Sequence, residues 1–176
     1  DKNCTHGYKE DVLAFIAVCR NWGISYSIER SRSGNGAHVW IFFEEPVAAG
    51  KARKLGNAIL TEAMKRNGHI TFNSYDRFFP NQDRMPEGGF GNLIALPLQG
   101  RARKMGNSVF VDENFLQFKN NGLIYTMQKS LTSMTWTCYW PGTDRKISVR
   151  WQLLQKQSLG CFLYLRMSRR KILTEN

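Results

Sequence analysis

A chain of 176 residues with 42% hydrophobic and 12% aromatic side chains can bury one sizeable core, and nothing in its composition demands a second domain. The net charge of +11 and the pI near 9.8 favour an acidic partner, and with aromatics spread throughout, nucleic acid suits that charge better than an anionic membrane surface. No apolar run reaches spanning length, no signal peptide is present, and Cys4, Cys19, Cys138 and Cys161 form no C-x-x-C pair, so a membrane span, a disulfide framework and a zinc site are all disfavoured and a soluble protein of the reduced cytoplasm is expected.

Residues 1–7 are polar and aperiodic. Cys4-Thr5-His6 could be half of a metal site, but no second half accompanies it. From Tyr8 to Trp22 the apolar residues Val12, Leu13, Phe15, Ile16, Cys19 and Trp22 recur at three and four, which predicts an amphipathic helix closed by Gly23. Ile24 to Arg30 alternates, with Ile24, Tyr26 and Ile28 opposed to Ser25, Ser27 and Glu29; this is the pattern of a strand buried on one face. The loop Ser31-Arg32-Ser33-Gly34-Asn35-Gly36 then runs into the apolar segment from His38 to Phe43, so His38 should sit where loop becomes strand. Two readings of this unit stay open. Gly34 and Gly36 could bring backbone N–H groups to a bound phosphate, with Ser33, His38, Arg30 and Arg32 adding donors and charge, or the loop could be an ordinary hairpin turn.

Pro46 suits the start of a helix over Val47 to Asn67, with Ala52, Leu55, Ala58, Ile59, Ala63 and Met64 on its core side and a basic outer surface that reads as solvated. His69 to Phe72 predicts a short strand or turn, and the proline- and glycine-broken segment from Arg77 to Gly91 a long ordered loop. The apolar run from Asn92 to Leu98 predicts a central strand ending at Pro97. A basic turn over Gln99 to Asn107 and a strand over Ser108 to Asp112 follow. The sum is an α+β domain whose mostly antiparallel sheet is flanked by helices.

Ser33-Gly34-Asn35-Gly36-Ala37-His38-Val39-Trp40 resembles the second motif of the archaeo-eukaryotic primase superfamily. Ser74-Tyr75-Asp76-Arg77-Phe78-Phe79-Pro80-Asn81-Gln82-Asp83 and the segment from Gly88 to Gly100 resemble the primase-like domain of TOTE conflict systems, which is fused to helicase and nuclease modules. The resemblance covers residues 1–115. It implies a catalytic core like the RNA-recognition motif, acting as a primase-polymerase on a DNA or RNA template with nucleoside triphosphates and two divalent metals, Mg²⁺ or Mn²⁺. It implies nucleotide contacts from Ser33, Gly34, Gly36, His38 and Arg32. Metal-binding carboxylates would be Asp1, standing where the second aspartate of the first motif is expected, and Asp83 or Asp76 for the third motif, with spacing in the family favouring Asp83. On this reading the strand carrying the first aspartate is missing, and this form would be a weak or inactive enzyme. The family's lysine before the proline is Ala95 here, so Arg101 or Arg103 would supply its charge. The rival reading is a nucleic-acid-binding module that stacks bases and holds phosphates without chemistry.

Beyond Asn120 the pattern changes. Residues 1–120 carry 16 basic and 12 acidic side chains, whereas residues 121–176 carry 9 and 2, and Trp136, Trp140 and Trp151 lie in segments without clear periodicity. A one-base shift can make Asn120 to Trp136 begin Gln-Trp-Ser-Tyr-Leu-Tyr, which resembles the segment that follows this domain in its relatives. The expectation is a catalytic domain over 1–120 and a basic tail over 121–176 that is frame-shifted, its charge accidental and its removal harmless.

Overall fold

A computed structural model describes residues 7–43, 47–68, 70, 75–83, 87, 94–122, 136–139, 146–149 and 162–168, with the backbone alone at 136–139, 146–149, 162–164 and 168. The described elements run α1 (Tyr8–Asn21), β1 (Ser27–Arg30), β2 (Gly36–Phe42), α2 (Ala49–Arg66), β3 (Tyr75–Phe79), α3 (Gly100–Lys104), β4 (Phe110–Val111), β5 (Trp136–Tyr139), β6 (Lys146–Val149) and β7 (Phe162–Ser168). Five strands form one antiparallel sheet in the order β3-β7-β2-β1-β4, and β5 and β6 pair with each other as a separate antiparallel ladder. The fold is thus α+β, as its composition of helical and alternating segments predicts.

Helix α1 buries Val12, Phe15, Ile16, Val18 and Cys19 and ends at Gly23, whose φ of 66° lets the chain turn while the Ile24 N–H returns to the Cys19 carbonyl at 2.8 Å. Helix α2 buries Ala52, Gly56, Ile59, Leu60 and Ala63. Gly56 lies so close to the sheet that a Cβ there would come within 2.5 Å of the Phe78 ring, a contact that periodicity alone does not show. The two helices cover one face of the sheet through Ile28, Ala37, Val39, Ile41, Phe78, Leu165 and Met167. Trp40 and Phe110 belong to a second, smaller apolar cluster, joined by Phe42, Phe79, Ile94 and Phe118. Because alternate strand residues point to opposite faces, this second cluster and the polar residues between its members define the other face.

Several sequence expectations change. Strand β2 begins at Gly36, so His38 lies inside the strand and not at its mouth. Residues Arg77 to Phe79, expected in a loop, are the end of β3; the aromatics Tyr75, Phe78 and Phe79 suit a strand, and the loop starts at Pro80. Of the expected central strand over 92–98, residues 94–98 are described and are not a strand: Ala95 and Leu96 are exposed, and Leu98 has a φ of 65°. Proline removes a ladder donor and Leu98 leaves extended geometry, so the run cannot pair along its length. The place between β2 and β3 is taken by β7, which comes from the segment read as a foreign tail. Asp1, Cys4, His6, Pro46 and most of 69–74 and 84–93 lie outside the described residues.

Candidate active site

The hairpin of β1 and β2 sets the site. Its register pairs Ser27 with Trp40, Glu29 with His38 and Arg30 with Ala37, and the Ser31 N–H closes it on the Gly36 carbonyl at 2.9 Å. Within the loop the Gly34 N–H donates to the Ser31 carbonyl at 3.0 Å and the Asn35 N–H to Ser33 Oγ at 3.4 Å. Those two backbone donors are therefore spent inside the turn, and Arg32, Ser33 and Asn35 are its exposed side chains. Gly34 has a φ of +79°, so glycine is favoured here by conformation, and its absent Cβ would meet Asn107 Oδ1 at 2.9 Å, a contact that side chain would have to move to relieve. The turn after α3 braces the loop from the other side: Arg30 donates to the Gly106 and Phe115 carbonyls at 2.7 and 2.6 Å, and the Ser108 N–H reaches the Ser31 carbonyl at 3.4 Å.

Phe110, Glu29, His38, Arg166 and Arg77 stand opposite one another in turn across β4, β1, β2, β7 and β3. Directly opposed residues share a face, so one line of side chains crosses the whole sheet on the side away from α1 and α2. Glu29, expected on a solvated face, is only 2% exposed. Its carboxylate receives Trp40 Nε1–H at 2.8 Å and His38 Nδ1 at 3.1 Å on Oε2, and the Ser108 hydroxyl at 3.1 Å on Oε1. Ser108 Oγ accepts the Gln99 N–H at 3.3 Å, which leaves its proton for Glu29. His38 is itself 8% exposed.

Beside this line lies Asp76, in the irregularity between Tyr75 and Arg77 of β3. Its Oδ2 is 3.2 Å from Arg166 Nε and 3.5 Å from Arg77 Nε. Next to it, burial pushes the Tyr75 hydroxyl up, an effect partly offset by the Phe78 N–H that it accepts at 2.9 Å. Asp83 is elsewhere. It follows the far end of β3, is exposed, and pairs with Arg53 of α2 against Gly50, at the opposite end of the sheet from the glycine loop and on the helical side. Of the residues expected to carry the site, His38 and Asp76 share the face turned away from α1 and α2, Ser33, Gly34, Gly36 and Arg32 form the loop at the start of β2, and Asp83 is not brought to them. Glu29, Trp40, Ser108 and Arg166 were not foreseen, although a hairpin register counted from the Ser31–Gly36 turn would have placed Glu29 opposite His38. A cleft of about 440 Å³ opens at the β1–β4 edge, lined by Tyr26, Phe110, Asp112 and Phe118 among others; Glu29, His38 and the glycine loop do not line it.

With this geometry in hand, the comparisons with known proteins decide the family. The family model of the archaeo-eukaryotic primase domain of TOTE conflict systems matches residues 1–135. The chain belongs to that family. Comparison with curated proteins and with solved structures gave no match. Membership makes this a primase-type nucleotidyltransferase domain, a class that works on nucleic acid and nucleoside triphosphates and generally depends on divalent metals. No helix among the described residues is long and apolar enough to cross a membrane. The described residues alone do not fit a metal pair: no three of their His, Cys, Asp and Glu side chains converge, and Asp76 is engaged by two guanidinium groups.

Proposed function

We propose that this primase domain uses the face of its sheet turned away from α1 and α2 to hold the polyphosphate of a nucleoside triphosphate and to join the nucleotide to a DNA or RNA strand, as one part of a helicase- and nuclease-bearing conflict protein of the cytoplasm. The observation that carries the reading is His38, fixed by the buried Glu29 on the side of the sheet that the helices leave uncovered. Arg166, opposite His38 and about half exposed, and Arg32 at the loop add positive charge toward a polyphosphate. Trp40 and Phe42 stack with ring centroids 5.8 Å apart and give the face its apolar floor. Of the carboxylates expected to hold Mg²⁺ or Mn²⁺, Asp76 lies beside the His38 line and Asp83 at the far end of the sheet with Arg53, so Asp76 is the one this reading assigns to a metal, together with Asp1, and when bound such an ion would stabilise the charge of the departing pyrophosphate.

The test is nucleotide binding and primer extension with Mg²⁺ or Mn²⁺. His38→Ala should weaken nucleotide affinity by about 10- to 100-fold, the worth of a charge-assisted hydrogen bond to phosphate. Wild-type nucleotide affinity and incorporation in that variant would remove the assignment. A second reading, a nucleic-acid-binding module without chemistry, is favoured by one observation: Asp76, the carboxylate beside the His38 line, is paired with Arg166 and Arg77. Asp76→Asn separates the two. Loss of incorporation with strand affinity unchanged supports the transferase, whereas a pure binder would incorporate nothing with either residue and bind the strand as well or better.

A further inference from the structure

We propose that Glu29 is the positioning residue of the site: it fixes which nitrogen of His38 carries the proton and which edge of the ring meets the nucleotide. This rests on the reading of His38 as a nucleotide contact. As a carboxylate Glu29 has no proton to give, so both its oxygens only accept: Oε2 takes the Trp40 Nε1–H, a group with no lone pair to offer, and Oε1 takes the Ser108 hydroxyl. The third neighbour, His38 Nδ1 at 3.1 Å from Oε2, therefore meets an acceptor and must itself bear the proton. The tautomer of a histidine is set by the bond that one of its nitrogens makes. With Nδ1–H turned to β1, Nε2 lies on the opposite edge of the ring, where it accepts from a nucleotide hydroxyl in the neutral ring and donates to a phosphate oxygen in the imidazolium form.

The carboxylate is held as firmly as it holds. Glu29 is 2% exposed, its strand is paired on both sides, and Ser108 is kept at a φ of 52° by bonds from its N–H to Ser31 and from the Leu98 N–H to its carbonyl. Ser108 thereby ties the turn after α3 to the histidine through one side chain. Buried carboxylates without a cation partner are costly unless fully hydrogen-bonded. Three donors on one glutamate, two from β2 and one from the turn before β4, meet that demand, and they do so at the one histidine of this face among the described residues.

The experiment reads the tautomer directly. Long-range ¹H–¹⁵N spectra in alkaline buffer, with His38→Ala used to pick out its resonances among the three histidines, should show His38 of the wild-type chain protonated on Nδ1. Glu29→Leu removes the acceptor and should give a mixture of tautomers with nucleotide affinity about tenfold lower, the scale typical of losing the group that orients a binding histidine. Glu29→Gln can keep its carbonyl oxygen on Trp40 and His38 while turning its amide to Ser108, and it should restore both the Nδ1–H tautomer and near-wild-type affinity. A wild-type His38 protonated on Nε2 overturns the proposal whether or not the leucine variant folds. So does a folded Glu29→Leu that binds nucleotide as the wild type does while His38→Ala does not. Should His38→Ala bind normally, the nucleotide reading of His38 fails, and the tautomer spectra still decide what Glu29 does.

Discussion

Glu29 illustrates what alternation can and cannot tell at the scale of a residue. The period of two separates Ile28 from Glu29 correctly, but it does not say that the polar face is covered; that depends on Trp40, Ser108 and Phe110, which come from elsewhere in the chain. The glycine loop was legible as a turn with special backbone needs, whereas the inward use of the Gly34 and Asn35 N–H groups was not. Gly34→Ala should lose about 1–2 kcal/mol, the cost of placing a side chain in left-handed geometry, with more if Asn107 cannot give way; urea unfolding of the variant beside the wild type measures it. Cys19 makes a second residue-scale test. It is fully buried and burial pushes its thiol far above the usual range, so the thiolate that reacts with alkylating agents is scarce. Iodoacetamide should leave the Cys19 peptide unlabelled in the folded protein and label it after denaturation, as mass spectrometry of the digest would show.

Among the elements, the two long helices were legible because their apolar residues recur over four or more turns, and the misreadings fell where an apolar run is short. Residues 94–98 look like a central strand, yet Pro97 and the positive φ of Leu98 forbid continuous pairing. Gly56 of α2 carries no apolar side chain and so escaped the predicted core, although it lets the helix touch Phe78. Gly56→Ala should cost about 1–3 kcal/mol by overpacking in spite of alanine's better helix propensity, and a thermal melt would read it as a lower midpoint. The end of α1 is joined to β1 and the segment after β4 by Arg20, Tyr26 and Glu113, with Tyr26 Oη 2.5 Å from Glu113 Oε1 and Arg20 Nη2 2.5 Å from Oε2. Hydrogen bonds from Tyr26 and then Arg20 hold the Glu113 carboxyl below its usual range. A depressed carboxyl stabilises the fold above its unfolded pKa, and the contribution is lost as pH falls through the lower folded value. The cluster is exposed, so the effect is small. Glu113→Gln should flatten the loss of stability on the acid side, which a series of melts across acid pH would show.

At the scale of the molecule the open question is what fills the middle of the sheet. The composition of residues 121–176 argues for a segment foreign to the domain, whereas the family match runs into that segment as far as residue 135. In the structure, however, β7 lies between β2 and β3, pairing seven residues from Gly36 to Phe42 with Ser168 to Phe162 on one side and reaching Tyr75 to Phe79 on the other. Leu165 and Met167 are buried against the helices, each worth about 1.5–3 kcal/mol on burial. Without β7, β2 and β3 would each present an unpaired edge beside the His38 line, and exposed edges are open to pairing with other chains. A chain ending at Gly122 should therefore lose several kcal/mol, enough to abolish a sharp transition in a domain whose total stability is about 5–15 kcal/mol, and it should associate. The competing idea, that the segment is a shifted reading frame with no part in the fold, requires that the same truncation melt as sharply as the full chain and stay monomeric. Calorimetry and light scattering on the two lengths separate these outcomes. The coding DNA provides a check that does not depend on folding, because codons unable to yield the shifted string remove the frame-shift idea whatever the melts show.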